Sequence, residues 1–246
     1  MGKRLLAAMF LLLYEGRSQT VQHVERLLPA SAKILETAEV GSKNGRKRQL
    51  VFWMQDPKRV VRPSGIGYCG DIVEGDHWIG PARLSLVDSN LENIINTVRI
   101  SSREVSESDD IPIPFWVSNN YWIIPSPGPN REGRPKILAL RDLTGEGFAN
   151  QFVLFLYDAC GIVSTSVVGY SKQMDRVLQY RVELSEKGEN PHSDFWIEQV
   201  FARPPMAPGR WKVTWSPHHG VDDVVTDDLS FDKARQVFVD RQVIQH

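Results

Sequence analysis

KILALRDLTGEGFANQFVLFLYD, residues 136 to 158, sets two apolar runs on either side of LTGEGFA, whose Gly145 and Gly147 suit a tight bend. This is the pattern of a β-hairpin, KILALRD pairing with NQFVLFLYD across a glycine turn. The same pattern recurs along the chain. KILETAEV (33 to 40) and RQLVFWM (48 to 54) flank GSKNG, where Asn44-Gly45 suits the positive φ angles of a turn. ARLSLVD (82 to 88) and NIINTVRI (93 to 100) flank SNLE, and IVSTSVVGY (162 to 170) is followed by RVLQYRVEL (176 to 184). FWIEQVF (195 to 201), RWKVTW (210 to 215), VDDVVTDDLSF (221 to 231) and RQVFVDRQVI (235 to 244) continue the meander. Only VQHVERLL (21 to 28), with Val21, Val24, Leu27 and Leu28 at helical spacing and Pro29 as a stop, predicts a short helix. The class is therefore all-β, built of antiparallel hairpins.

With 41% hydrophobic and 24% charged residues over 246 positions, the composition is that of a folded protein with room for a sizeable core. Lys and Arg total 29 against 30 for Asp and Glu, a net charge of -1, so no general attraction draws the chain to nucleic acid or anionic lipid.

Residues 1–18 read as a secretory signal peptide. Lys3 and Arg4 form a positive start, Leu5 to Tyr14 an apolar stretch, and Gly16-Arg17-Ser18 places small residues before a cut at Gln19. The other reading is a buried N-terminal helix. The apolar run is too short to span a bilayer, where about 20 residues are needed, so the expectation is a secreted or periplasmic protein that is not integral to a membrane. In an oxidising compartment Cys69 and Cys160 are free to form a disulfide; the alternative is two separately buried thiols. The mature chain, 19–246, reads as one all-β domain, with a division into two lobes near 101–135 left open by the polar stretch SSREVSESDDIPIP and the proline-rich IPSPGPNREGRP.

An internal repeat emerges when the first hairpin is laid on the third. AEVGSKNGRKRQLVFW (38 to 53) aligns without a gap with LRDLTGEGFANQFVLF (140 to 155), matching Gly45 to Gly147, Gln49 to Gln151 and Val51 to Val153. The second copy resembles the FG-GAP or VCBS repeat, the calcium-loop hairpin of integrin-α propellers and of many exported bacterial proteins. That resemblance implies a small or incomplete β-propeller, with a two-sheet β-sandwich as the alternative. It also implies a weak calcium site, in which Asp142, Thr144, Glu146 and Asn150 supply side-chain oxygens and Phe148 a backbone carbonyl. The departures from the family are Thr144 for an acid or amide, Glu146 for Asp, and the neutral Asn150 at the last position. In the first copy Val40 replaces the leading acid and Lys43, Arg46, Lys47 and Arg48 crowd the turn, so no cation is expected there. A purely structural turn remains the alternative at residues 142–150.

Other chemistry is sparse. SPHHG carries His218 and His219 ahead of Asp222, Asp223, Asp227 and Asp228, a set that holds a metal only if a turn brings the two imidazoles together. Asp76-His77 are sequence neighbours, which does not make a triad. No nucleophile elbow, Walker loop, dinucleotide fingerprint or HExxH is present. Trp116, Tyr121 and Trp122, in FWVSNNYW, suggest an aromatic platform for a glycan or protein, against the alternative of strand-core residues. The sequence thus predicts a non-catalytic exported binding or structural module with a protein or glycan partner; a secreted hydrolase is the other reading.

Overall fold

The computed structural model describes residues 24–41, 46–62, 75–88, 90, 93–101, 115–116, 136–157, 163–186, 192–216 and 223–245. The segment 1–18 expected to be a signal peptide, Cys69, Cys160, Tyr121, Trp122, His218, His219 and nearly all of 101–135 lie outside these. The described chain is all-β, as expected, and its sheets are open.

The first sheet has the order β1-β2-β5-β6 and is antiparallel throughout, with β1 at Ala32–Val40, β2 at Arg48–Gln55, β5 at Ala82–Asp88 and β6 at Asn93–Arg99. The excursion between β2 and β5 forms the hairpin β3 (Lys58–Arg62) and β4 (Gly75–Ile79), and β7 (Phe115–Trp116), which follows β6 in the chain, adds to β4 to complete a separate small sheet. In the middle sheet β9 (Val163–Ser171) pairs with β8 (Gln151–Tyr157), and also with β10 (Arg176–Gln179) and β13 (Ile197–Glu198), which follow one another along its length. The C-terminal sheet has the order β12-β11-β16-β15-β14, from β12 (His192–Asp194), β11 (Val182–Glu186), β16 (Val237–Gln245), β15 (Val224–Asp232) and β14 (Arg210–Trp215).

The two-residue period of a strand sends alternate side chains to opposite faces, and here it stacks the sheets. Leu50, Phe52 and Met54 of β2 and Leu84 and Leu86 of β5 meet Phe152, Leu154, Val168 and Tyr170 of the middle sheet in one core. The intervening residues of the middle sheet, Val153, Phe155 and Val167, meet Trp211, Val213, Leu229 and Phe238 in a second. A strand buried on both faces needs an unbroken apolar run, and FVLF, residues 152 to 155, supplies it. The outer face of the first sheet is covered at Val51, Trp53 and Val87 by Val24 and Leu28.

Side-chain amides lock the first sheet to the middle one. Asn96 of β6 donates to the carbonyl of Val177 and accepts its N–H, at 3.0 and 2.9 Å. Gln179 of β10 treats Ser101 in the same way, accepting its N–H at 2.7 Å and donating to its carbonyl at 3.5 Å. Each amide stands in for a strand's backbone.

Several sequence expectations are corrected. KILALRD is not a strand: only Arg141 bridges to Gln151, because the N–H groups of Ile137 and Leu138 donate instead to the Glu36 carboxylate on β1, at 2.6 and 3.0 Å. RVLQYRVEL is two strands in different sheets, with the chain changing sheet at Tyr180 and Arg181. The C-terminal strands do not simply continue a meander, since β11 and β16 pair in parallel. FWIEQVF gives two strand residues and then a 3-10 turn at Val200–Ala202, entered through the positive φ of Gln199. The helix expected over 21–28 is not shown: residues 21–23 lie outside the described residues, and from Val24 the described part is a single turn, with Leu27 N–H on Val24 O and Leu28 N–H on Glu25 O.

Candidate functional site: the turn cluster around residues 142–150

The gapless alignment of the two hairpins places Arg141 on Glu39 and Gln151 on Gln49, and the structure pairs both couples, Glu39 with Gln49 and Arg141 with Gln151. The two copies also touch, through a bond from Gly41 N–H to Asn150 Oδ1 at 3.1 Å.

Within the second copy the bend is held by its own hydrogen bonds. Asp142 Oδ1 accepts the N–H of Glu146 at 3.0 Å and Oδ2 that of Gly147 at 2.8 Å. Such carboxylate-to-backbone capping is the ordinary stabilisation of a turn opened by Asp. Gly145 and Gly147 take φ of +70° and +82°, where a side chain is disfavoured. At Gly145 a Cβ would also sit 2.7 Å from the carbonyl oxygen of Pro208. Thr144 is buried and its hydroxyl donates to Glu146 Oε2 at 3.2 Å, while the Phe148 carbonyl accepts Asn150 N–H at 2.9 Å.

The five residues expected to bind calcium are thus brought together, but their oxygens face protein donors. Lys233 Nζ donates to the Gly145 carbonyl at 3.0 Å, and Lys172 Nζ lies 3.8 Å from the centre of the Phe148 ring. Two ammonium groups beside the turn oppose a divalent cation, and the two carboxylates of the set, Asp142 and Glu146, already accept from the Glu146 and Gly147 N–H groups and the Thr144 hydroxyl. The arrangement does not fit a calcium ion.

The turn has company. The β9–β10 turn and the β15–β16 turn converge on it through Ser171, whose hydroxyl donates to Gln236 Oε1 at 2.6 Å and accepts Met174 N–H at 3.2 Å. Gln236 in turn donates to Gln173 Oε1 and to the Lys233 carbonyl, at 2.9 and 3.0 Å. Asp175 and Gln236 hold left-handed φ angles of 51° and 56°, a cost that the network around them sustains. Beneath lies Tyr180, whose buried hydroxyl has no hydrogen-bond partner and whose ionisation is pushed up by burial and then by the charge of Glu146.

The remaining candidates are dispersed. Trp116 lies on β7 opposite His77 of β4, within the small sheet. Asp227 and Asp228, adjacent on β15, point to opposite faces: Asp227 is fully buried, Asp228 meets Arg210 outside. A groove of about 640 Å³ runs along β1, lined by Glu25, Lys33, Glu36 and Pro57. Sequence reasoning missed Lys172, Met174 and Gln236, which only the convergence of three distant turns makes neighbours. It also missed Asp240, although FVDRQ sets an acid in the inward slot of an alternating strand.

What fold and site define together is a mainly antiparallel β protein with stacked sheets and a cluster of hydrogen-bonded turns. No protein-family model, curated protein or solved structure matches the chain. Among the described residues no helix is long and apolar enough to cross a membrane.

Proposed function

We propose that the protein is a non-catalytic, exported binding or structural module, secreted or periplasmic, that presents its turn cluster to a protein or glycan partner. The observation that supports this reading is the exposure of Phe148, at 41%, and of Met174, at 46%, on two turns that meet where Lys172 lies over the Phe148 ring. Exposed aromatic and thioether side chains on a fixed backbone are what an interface anchor requires, because little conformational freedom is lost on binding. Lys172, stacked on Phe148, adds a cation at the same spot. FG-GAP-like kinship remains part of the proposal, with the turn serving as a structural unit that calcium does not need to build.

The test is a glycan array read with the mature protein and with a Phe148→Ala/Met174→Ala double variant, alongside a photo-cross-linker placed at position 148 or at Ser230 on the far face of the C-terminal sheet. Binding lost in the double variant with an unchanged circular dichroism spectrum, or a discrete adduct from position 148 alone, is expected. No glycan bound and no adduct would sink the reading. Turnover on a hydrolase panel abolished by one substitution would replace it with the hydrolase.

A further inference from the structure

The inner face of the C-terminal sheet carries two acids where its alternation calls for apolar residues. Val225, Asp227 and Leu229 share that face on β15, and Phe238, Asp240 and Gln242 share it on β16, because Asp227 pairs with Gln242 and Leu229 with Asp240. Leu184 of β11 flanks Asp240 on the other side. Both acids are fully buried. Their surroundings differ. Asp227 accepts Trp215 Nε1–H at 2.6 Å and Gln242 Nε2–H at 2.8 Å, one on each oxygen, the partners of an ionised carboxylate. Neither oxygen of Asp240 has a hydrogen-bond partner.

A bare carboxylate in an apolar interior is far costlier than the neutral acid. We propose that Asp227 and Asp240 form a proton-holding pair, with Asp240 kept as the neutral carboxylic acid against ionised Asp227, and that loss of this proton to water loosens the C-terminal sheet from the middle sheet. Burial, and then the negative charge of Asp227, pushes Asp240 up to about 8. No cation faces it among the described residues. By alternation Lys212 of β14, Asp228 of β15, Arg241 of β16 and Glu183 of β11 fall on the outer face, Glu186 of β11 pairs with Gln242 in the inner register, and β8 and β9 contribute Val153, Phe155 and Val167.

The folded value lies above the ordinary 3.8, so the unfolded chain releases this proton first. Stability is therefore fully present below the ordinary range, falls as pH rises towards 8, and levels off above it. The experiment is urea unfolding of the full chain from pH 5 to 9 for the wild type and Asp240→Asn. One proton's difference makes the unfolding constant rise about tenfold per pH unit, so the ratio between wild type and variant should grow by that factor across the window and flatten above pH 8. Parallel pH profiles would overturn the proposal. Infrared spectra of the wild type keep the test independent of whether the variant folds: a neutral-carboxyl stretch present at pH 6 and gone at pH 9.5 is expected, and its absence at pH 6 would overturn the proposal equally.

Discussion

The middle sheet has two buried interfaces, and they handle acidic side chains in opposite ways. Toward the first sheet, Arg48 of β2 is 3% exposed and reaches Asp88 of β5 with one arm of its guanidinium and Asp175 of the β9–β10 turn with another, while Tyr170 donates to Asp175 at 2.8 Å. Toward the C-terminal sheet, Asp227 has only neutral donors and Asp240 has none. A buried acid is accommodated by a cation, by neutral donors or by keeping its proton; one interface uses the cation, and the other uses donors at Asp227 and the proton at Asp240. The salt bridge also carries information. It ties a turn to a strand 127 residues earlier and so fixes where the two sheets meet.

The strongest way to break this contrast is Arg48→Met. Removing the cation leaves the buried Asp88 carboxylate without its guanidinium counter-charge, so chemical denaturation at neutral pH should show a loss of about 3–5 kcal/mol. Asp240→Asn should act in the opposite sense at the same pH, and a loss there would erase the distinction between the interfaces. Next in size is Gly169→Ala. Gly169 of β9 faces Gln151 of β8, and a Cβ would strike the Asn150 carbonyl and lie 2.6 Å from Gln151 Cα. Forcing these strands apart should cost about 1–3 kcal/mol, read by thermal melting, and a neutral result would mean that the strands separate freely. The smallest effect belongs to Asp142→Ala, where loss of two backbone caps should cost about 1 kcal/mol. Calcium should leave the melting temperature of both wild type and this variant unchanged; a calcium-induced rise in the wild type alone would restore the ion to the turn.

Much of the architecture was legible because alternation is a local signal. β1, β2, β5, β6, β8 and β9 fall close to where their apolar residues predict. What failed was non-local. KILALRD carries the apolar residues of a strand, but Glu36, 101 residues from Ile137, takes the N–H groups that a strand would use. Tyr180 looks like one more strand residue until the chain leaves one sheet for another at that point. The turn at 142–150 shows the same limit: its glycines and its Asp were readable, whereas Lys172 and Lys233 reach it only through the fold. Asp240 was the readable signal left unread, an acid in an inward slot.

The position of β16 carries a consequence for assembly. It lies between β11 and β15, so the five strands of its sheet fall into two unconnected pairs without it. Residues 237–245 therefore act as a keystone: β12–β11 and β15–β14 can each form by local pairing, but their union waits on a parallel match to a segment far along the chain, a slow, non-local step. Asp240 sits within that keystone, which makes acquisition of its proton part of setting the last stone.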